Sequence, residues 1–340
     1  MKTLKRFAFI AAVIILTAFR CSDDEQLTLS LEANQYSLTA DGTSVVKFTV
    51  YEGNADVTAQ SMIYEMESGQ ALQGNTFSTK VAGSYYFYAE YDGRKTDHIE
   101  VIAEEVVASS FVRQVCLMEF TDAQCTFCPN ASRYIDRNIL QKRNDVHLMA
   151  FHEQDQWSIE QYADLRTKFG FNSTPYGVVD MRQALSLDTD NIDKVLDAIN
   201  TSVKTYSSHC GVAVSSSING GTCAKVIAKL YSEKNTEYRI VVYVVEDGII
   251  GAQLDNGLTK PEYYHQFVVR KMVSSSIYGE RLGRVPSKTE ISKEYDITID
   301  PSWNLEKTYV YVLATDDDGY VNNMQVCLLD GGSAGYEYKN

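Results

Sequence analysis

The chain lacks an excess of positive charge. Its 340 residues hold 31 Lys and Arg against 45 Asp and Glu, a formal net charge of −14. An acidic body repels a phosphate backbone, so nucleic acid is excluded as an expected partner. The N-terminal apolar run Phe7–Phe19 has 13 residues, short of the roughly 20 that a bilayer-spanning helix needs. A single Cys125-x-x-Cys128 is present without a second such pair, or a Cys/His pair at matching spacing, to complete a four-ligand zinc site. Asp316-Asp317-Asp318-Gly319 lacks the rest of an EF-hand, because position 12 of that loop would be Cys327 and not Glu. No metal and no cofactor is expected. Residues 26–105 contain no cysteine and no cluster of His, Asp and Glu. Proline is scarce, at 5, whereas tyrosine is abundant, at 23, and the tyrosines fall among short Val- and Thr-containing runs that favour strands.

The first residues have the order of an export signal. Lys2, Lys5 and Arg6 precede the apolar run, and Cys21-Ser22-Asp23-Asp24-Glu25 follows it. The arrangement resembles a bacterial lipoprotein signal, and the acidic residues after the cysteine resemble the export tag of Bacteroidetes surface lipoproteins. The resemblance implies a signal peptide at 1–20, lipidation of Cys21, and a tether at 21–25. The bilayer would then be a partner, held through acyl chains. Ordinary secretion with cleavage elsewhere, or an uncleaved anchor, is the alternative.

At roughly 100–200 residues per domain, the length suggests two or three domains. Residues 26–105 read as all-β, with strands at Leu27–Leu31, Val45–Tyr51 and Tyr85–Tyr91 and turns at Asp41-Gly42 and Asp92-Gly93. They resemble the bacterial Ig-like modules placed behind lipoprotein anchors, and a spacer is their expected role. Tyr85–Tyr91 reads as core rather than as a glycan-binding face. From 108 to 208 strands alternate with helices. Val112–Phe120 and Val146–Phe151 read as buried parallel strands, and Pro129–Leu140 as a helix. A second helix is capped at Ser158 and ends at Gly170, Tyr176–Val179 is a third strand, and a last helix is capped by Asp190. A fourth strand is hard to find in Met181–Leu187. From 209 to 340 the pattern returns to β, with strands including Val226–Tyr231, Arg239–Val245, Tyr264–Val269, Tyr309–Leu313 and Met324–Leu328. This last part is either a second sandwich or a β extension of the α/β domain. The expected fold class is multidomain α+β.

Chemistry concentrates at Cys125 and Cys128. A C-x-x-C where a strand meets a helix sets its first cysteine over unpaired amide hydrogens and the positive end of the helix dipole, which favour a thiolate. Cys125 is the expected nucleophile toward disulfides and Cys128 the resolving thiol. Pro129 fits the first helical turn, where a missing N–H costs little. Glu119, inside a buried strand, would have a raised pKa and could carry the resolving thiol's proton. A cis bond at Thr174-Pro175 would offer the Thr174 backbone to an extended substrate. A permanent structural disulfide is the competing reading of Cys125–Cys128.

Cys125-x-x-Cys128-Pro129, Glu119 and Thr174-Pro175 together resemble thioredoxin-like proteins. Leu117–Thr121, Gly170–Pro175 and Tyr263–Arg270 are similar to the Omp28-related outer-membrane lipoproteins of Bacteroidetes. The resemblance implies an Ig-like β-sandwich, a thioredoxin-like α/β domain and a β-rich, sandwich-like C-terminal domain. It also implies an outer-membrane location, at the cell surface or facing the periplasm. The function so implied is thiol–disulfide exchange with thiols or disulfides of exported proteins. A non-enzymatic surface binding protein, an adhesin or a scaffold that keeps the fold is the alternative, and the oligomeric state stays open. Cys116 reads as a buried free thiol, and Cys210–Cys223 as the first choice among further disulfides, because Asn219-Gly220-Gly221 turns the chain between them. His152 reads as a strand-end residue or a proton relay, and His265 as a structural histidine or part of the site.

Overall fold

The computed structural model describes residues 27–106, 108–189 and 191–340. The signal, Cys21 and the cap assigned to Asp190 lie outside them. The chain divides into two compact units, 1–106 and 107–340. Both are built mainly of strands, and the second also holds three short helices.

In the first unit, alternation decides which side chains face inward. Val46, Phe48 and Val50 are fully buried, and the residues between them are not. Val46–Glu52 pairs with Leu29–Ala33, Ala55–Asp56 and Thr76–Phe77. A second sheet joins Met62–Glu65, Gly83–Tyr91 and Ile99–Glu104, with Ser37–Thr39 parallel at its edge. The inner faces of the two sheets form one core, where the rings of Phe48 and Phe87 lie 4.8 Å apart. Tyr85–Tyr91 is a core strand through Phe87 and Ala89, whereas Tyr86 points outward.

The second unit is organised by one curled nine-stranded sheet. Its order is Gln183–Ser186, Tyr176–Val179, Val115–Thr121, Val146–His152, Val268–Met272, Thr236–Glu246, Thr308–Thr315 and Val321–Leu328, with Glu280–Val285 also paired to Thr236–Glu246. Every residue of Val115–Thr121 is buried. Its Val115 and Leu117 pack against α1 (Cys128–Ile135) and α3 (Lys194–Thr205). Its Cys116, Met118 and Phe120 pack against α2 (Tyr162–Phe169) and against Tyr243, Tyr311 and Met324 of the C-terminal strands. A strand covered on both faces reads as a continuous apolar run, as this one does. A four-stranded sheet of Thr289–Thr298, Cys223–Ser232, Cys210–Asn219 and Ser333–Ala334 covers the C-terminal half of the large sheet.

The boundary expected at 208/209 is therefore not a break between compact units. Val268–Met272 pairs parallel with Val146–His152 through Ala150 and Val268, so the large sheet runs through both segments. The fourth strand, hard to see in sequence, is Gln183–Ser186, paired antiparallel with Tyr176–Val179. α1 continues as a π-helical turn, Asp136–Leu140. The capping box expected at Ser158 is not used. Ser158 Oγ instead accepts the Asp155 N–H at 3.0 Å, and α2 begins at Tyr162. α2 does end at Gly170, which adopts φ +69°. The expected strand Tyr264–Val269 is broken at Phe267, whose φ is +48°. The Phe267 N–H donates to Asp247, and its carbonyl accepts from Ala150, which turns Leu258–His265 out of the large sheet.

The expected disulfide Cys210–Cys223 is absent, and both thiols are free. The hairpin itself separates them: Cys210 opposes Ser232 at one end, and Cys223 opposes Asn219 at the other. Antiparallel pairing over ten residues keeps them roughly 30 Å apart at about 3.4 Å per residue.

A buried ion pair links three parts of this unit. Asp180 follows Tyr176–Val179 at φ +52° and is fully buried. Its carboxylate accepts from the Arg113 guanidinium at 2.7 Å, from the Cys116 N–H at 2.9 Å and from the Ser202 hydroxyl on α3. Arg113 also donates to the carbonyls of Asn322 and Val321. Removing one partner of such a pair strands the other charge, at a cost of about 3–5 kcal/mol. Asp180→Asn, which keeps a side chain suited to a positive φ, is expected to lower the urea-unfolding free energy by about 3 kcal/mol. Arg113→Met should cost much less in the Asp180→Asn background than in the wild type. Additive costs in that double-mutant cycle would show that the pair is not coupled.

Candidate functional site: a clamped dithiol loop

Strand Val115–Thr121 ends where the chain turns through Asp122–Phe127 into α1. The turn is set locally: the Cys125 N–H donates to the Asp122 carbonyl at 3.2 Å, and the Ala123 N–H to Asp155 Oδ2 at 3.1 Å. Cys125 and Cys128 form a disulfide with Cα atoms 5.4 Å apart. Cys128 is the first residue of α1 and is buried, with Pro129 behind it. Cys125 is partly exposed, beside the 62 % exposed Phe127. The Cys128 N–H, one of the unpaired donors of the helix start, points at Cys125 Sγ at 3.1 Å. A thiolate at Cys125 would therefore be met by an amide hydrogen and the positive end of the helix.

Glu119 lies beneath the first turn of α1, 2 % exposed. Ser132 Oγ donates to it at 2.7 Å and is also 3.2 Å from the Cys128 carbonyl. Burial pushes the Glu119 carboxyl up to about 7, against the smaller opposing effect of Ser132. Thr174-Pro175 is cis. Pro175 directly precedes Tyr176, which pairs with Phe120, so Thr174-Pro175 lies at the sheet end from which the cysteine loop leaves.

His152 ends its strand and is buried. Its Nδ1 meets Asp155 Oδ2 at 2.6 Å, and Asp155 Oδ1 accepts from the Trp157 N–H. Since Asp155 also holds the Ala123 N–H, this pair braces the dithiol loop. His265 packs against Trp157 and His152, with ring centroids 4.3 and 5.2 Å away.

Sequence reasoning missed the element that closes the site. Ile249–Asp255 and Leu258–His265 form a hairpin laid along the dithiol loop. The Leu254 N–H donates to the Ala123 carbonyl and the Asn256 N–H to the Thr126 carbonyl, each at 2.9 Å. Gln253, buried, donates to the carbonyls of Cys125 and Asp122 at 3.1 and 3.2 Å. Arg133 on α1 makes a two-point contact with Asp255, which holds the Asp255 carboxyl well below its usual range although burial opposes the shift. Gly251 lets the Trp157 ring approach, since a Cβ there would come within 2.5 Å of it. The turn Asp255-Asn256-Gly257 was the available signal, because such a sequence between β-like runs marks a hairpin.

Among the described residues, no group of three or more His, Cys, Asp or Glu side chains is arranged to hold a metal ion, and no helix is long and apolar enough to cross a membrane. The site defines a class: a mostly β protein with a helix-capped dithiol set into a large mixed sheet. Residues 162–329, just under half of the chain, match the family model described as outer membrane protein Omp28, a likeness that supports an Omp28-related protein of the outer membrane. The match begins after the two cysteines and includes the hairpin. HBP35 of Porphyromonas gingivalis shares the fold, with TM-score 0.55 and 16 % identity over 65 % of this chain and 77 % of its own. A domain of the outer membrane lipoprotein Omp28 from Porphyromonas gingivalis aligns over 37 % of this chain and 97 % of its own. It has 16 % identity and a TM-score of 0.27, too low to bear on the fold. No curated protein matches the chain.

The raised Glu119 carboxyl has a consequence for stability. The folded protein holds a proton there that an unfolded chain, titrating near 4.5, has released. The stabilisation is fully present below pH 4.5 and is lost as pH rises through about 7. At about 1.4 kcal/mol per pH unit this amounts to about 3 kcal/mol. Urea unfolding should show the wild type losing that much relative to Glu119→Gln between pH 5 and pH 8. A pH-independent difference would put the carboxyl at its ordinary value.

Proposed function

We propose that this is an outer-membrane lipoprotein, anchored through Cys21, that performs thiol–disulfide exchange on exported proteins. The observation that carries the reading is the Cys128 N–H aimed at a partly exposed Cys125 sulfur at a helix start, while Cys128 is buried. That asymmetry assigns the roles: Cys125 meets the client sulfur, and Cys128 closes or opens the internal bond. Glu119 exchanges a proton with Cys128, and Thr174-Pro175 borders the client's path.

We read residues 108–208 as a thioredoxin-like domain. The strand order 183–186, 176–179, 115–121, 146–152, the parallel central pair, the cis proline before the antiparallel third strand, and the dithiol at the first helix support that reading. The paired sheets between residues 29 and 104 support an Ig-like spacer. The order of basic, apolar and cysteine residues at 2–21 supports the lipid anchor.

The test is alkylation of the reduced full chain at pH 6.5, with mass-spectrometric assignment of each cysteine. Lowering a thiol pKa by one unit from 8.5 raises the thiolate fraction about tenfold at that pH. Cys125 is expected to react about tenfold faster than glutathione, with Cys128 far slower. The wild type should also exchange with a disulfide-bonded peptide, and Cys125→Ser should not. A Cys125 that reacts like an ordinary thiol and leaves the peptide untouched would overturn exchange and leave a binding protein.

A further inference from the structure

The hairpin Ile249–His265 roofs a small polar cavity next to the dithiol. Its volume is about 20 Å3, and its walls include Glu119, Ser132, His152, Gln253, Tyr263 and His265. A space of this size holds one water if two or more polar groups receive it. Here they do. Glu119 accepts one hydrogen bond, from Ser132, and a buried carboxyl has room for more. His265 Nε2 is buried without a protein partner. In a neutral imidazole each ring nitrogen is either a donor or an acceptor, so Nε2 can pair with a water in either tautomer. A buried ring nitrogen left unmet is destabilising, and a water at that point relieves it.

We propose that this cavity is the proton-transfer chamber of the dithiol, in which His265 and Tyr263 act as positioning residues for a water that connects Glu119 with the His152–Asp155 pair. The proposal rests on the thiol–disulfide reading and extends it to the C-terminal segment. From the oxidised form, the chemistry closes as follows. A client thiolate attacks Cys125 Sγ, the Cys125–Cys128 bond breaks, and its electron pair leaves on Cys128 Sγ. The Glu119 proton passes to that sulfur, and the proton released by the ionising client thiol returns through the cavity water to Glu119, which leaves the water unchanged. A second client thiolate then attacks the client's own sulfur in the mixed disulfide and expels Cys125 as a thiolate facing the Cys128 N–H. The client dithiol is oxidised, the protein disulfide is reduced, and the two client protons go to solvent and to Cys128.

The surroundings suit that water. Burial, followed by the neighbouring His152, brings the His265 imidazolium down to about 4, so the ring is neutral at neutral pH. The titratable and charged groups facing the chamber are His152 at the end of its strand with Asp155 from the segment that follows, Glu119 from the next strand, and Tyr263 from the hairpin. The Arg133–Asp255 pair lies at the helix side. Gly251 and Trp157 seat the hairpin strand that pairs with Leu258–His265.

The test follows Glu119 in the intact, oxidised chain by the infrared band of its protonated carboxyl, identified by its loss in Glu119→Gln. It also follows the rate at which dithiothreitol opens the disulfide as a function of pH. His265→Leu and Tyr263→Phe should each raise the Glu119 midpoint by about one pH unit, since the carboxylate loses a hydrogen bond worth about that much. His265→Leu should slow disulfide opening about tenfold, less than the roughly 10²–10⁴-fold of a general acid itself, because it acts through Glu119. It should cause no further loss in Glu119→Gln, and His265→Gln, which keeps a polar group there, should recover most of the rate. A Glu119 midpoint unmoved by both substitutions, in a wild type that exchanges, overturns the chamber alone. A wild-type disulfide inert to dithiothreitol and to a peptide dithiol, with a midpoint that does move, overturns exchange and makes the water merely structural.

Discussion

Much of the second unit depends on where the Asp180 carboxylate finds its hydrogens. One oxygen takes the backbone N–H of Cys116, and the other takes Arg113 and Ser202. The Asp180 backbone pairs with Cys116 on one side and Val321 on the other. One residue thereby joins the start of the central strand, the third helix and the last strand of the sheet. Arg113 repeats the connection through the carbonyls of Val321 and Asn322. With both ends of a curled sheet held at this point, the other end of Val115–Thr121 is fixed in space, and the dithiol loop leaves from that end.

The second constraint is the hairpin. Two backbone hydrogen bonds, those of Gln253 and the Arg133–Asp255 contact tie the cysteine loop to residues more than 120 positions later in the chain. Each bond contributes about 1 kcal/mol, but their joint effect is geometric. They fix the carbonyls on one edge of Asp122–Thr126 and leave the sulfur of Cys125 on the other. The C-terminal segment is thus part of the site's wall. This is also why a family match that begins at residue 162 still bears on it: the match takes in the clamp, though not the cysteines.

Local features were legible in the sequence. The C-x-x-C, Glu119 inside an apolar run, and Thr174-Pro175 each announce a chemistry through residue type and immediate neighbours, and the cis bond and the buried carboxyl are found at those positions. Strands that bury both faces were legible for the same reason. Pairing between distant segments was not. Nothing in Val268–Met272 states that it will lie beside Val146–His152, so the C-terminal part read as separate. Cys210 and Cys223 flank a true turn, but a turn between two cysteines fixes their distance only once the strand lengths are known, and ten paired residues separate them. Phe267 could not be seen as a break either, because its positive φ is held by Asp247 and Ala150, which are remote in sequence.

Four carboxylates among the described residues of the second unit are buried, and they are treated differently. Asp180 has Arg113, Asp255 has Arg133 and Lys260, and Glu246 has Arg270. Glu119 has no cation, only the hydroxyl of Ser132. A fold selected for stability alone would give that position an apolar side chain, since the flanking Met118 and Phe120 pack well and a lone buried carboxyl costs more the further pH rises above its ordinary value. An uncompensated acid that titrates near 7 is costly as architecture and suited to proton transfer at neutral pH. It sits under the one disulfide among the described residues and lines a small polar cavity, which a hairpin that also supplies a neutral imidazole helps to close. The strain of keeping Glu119 unpaired is local, whereas the groups that make it useful are gathered from strands and a helix spread over some 150 residues. That gathering is what the ion pair at Asp180 and the clamp at Gln253 accomplish.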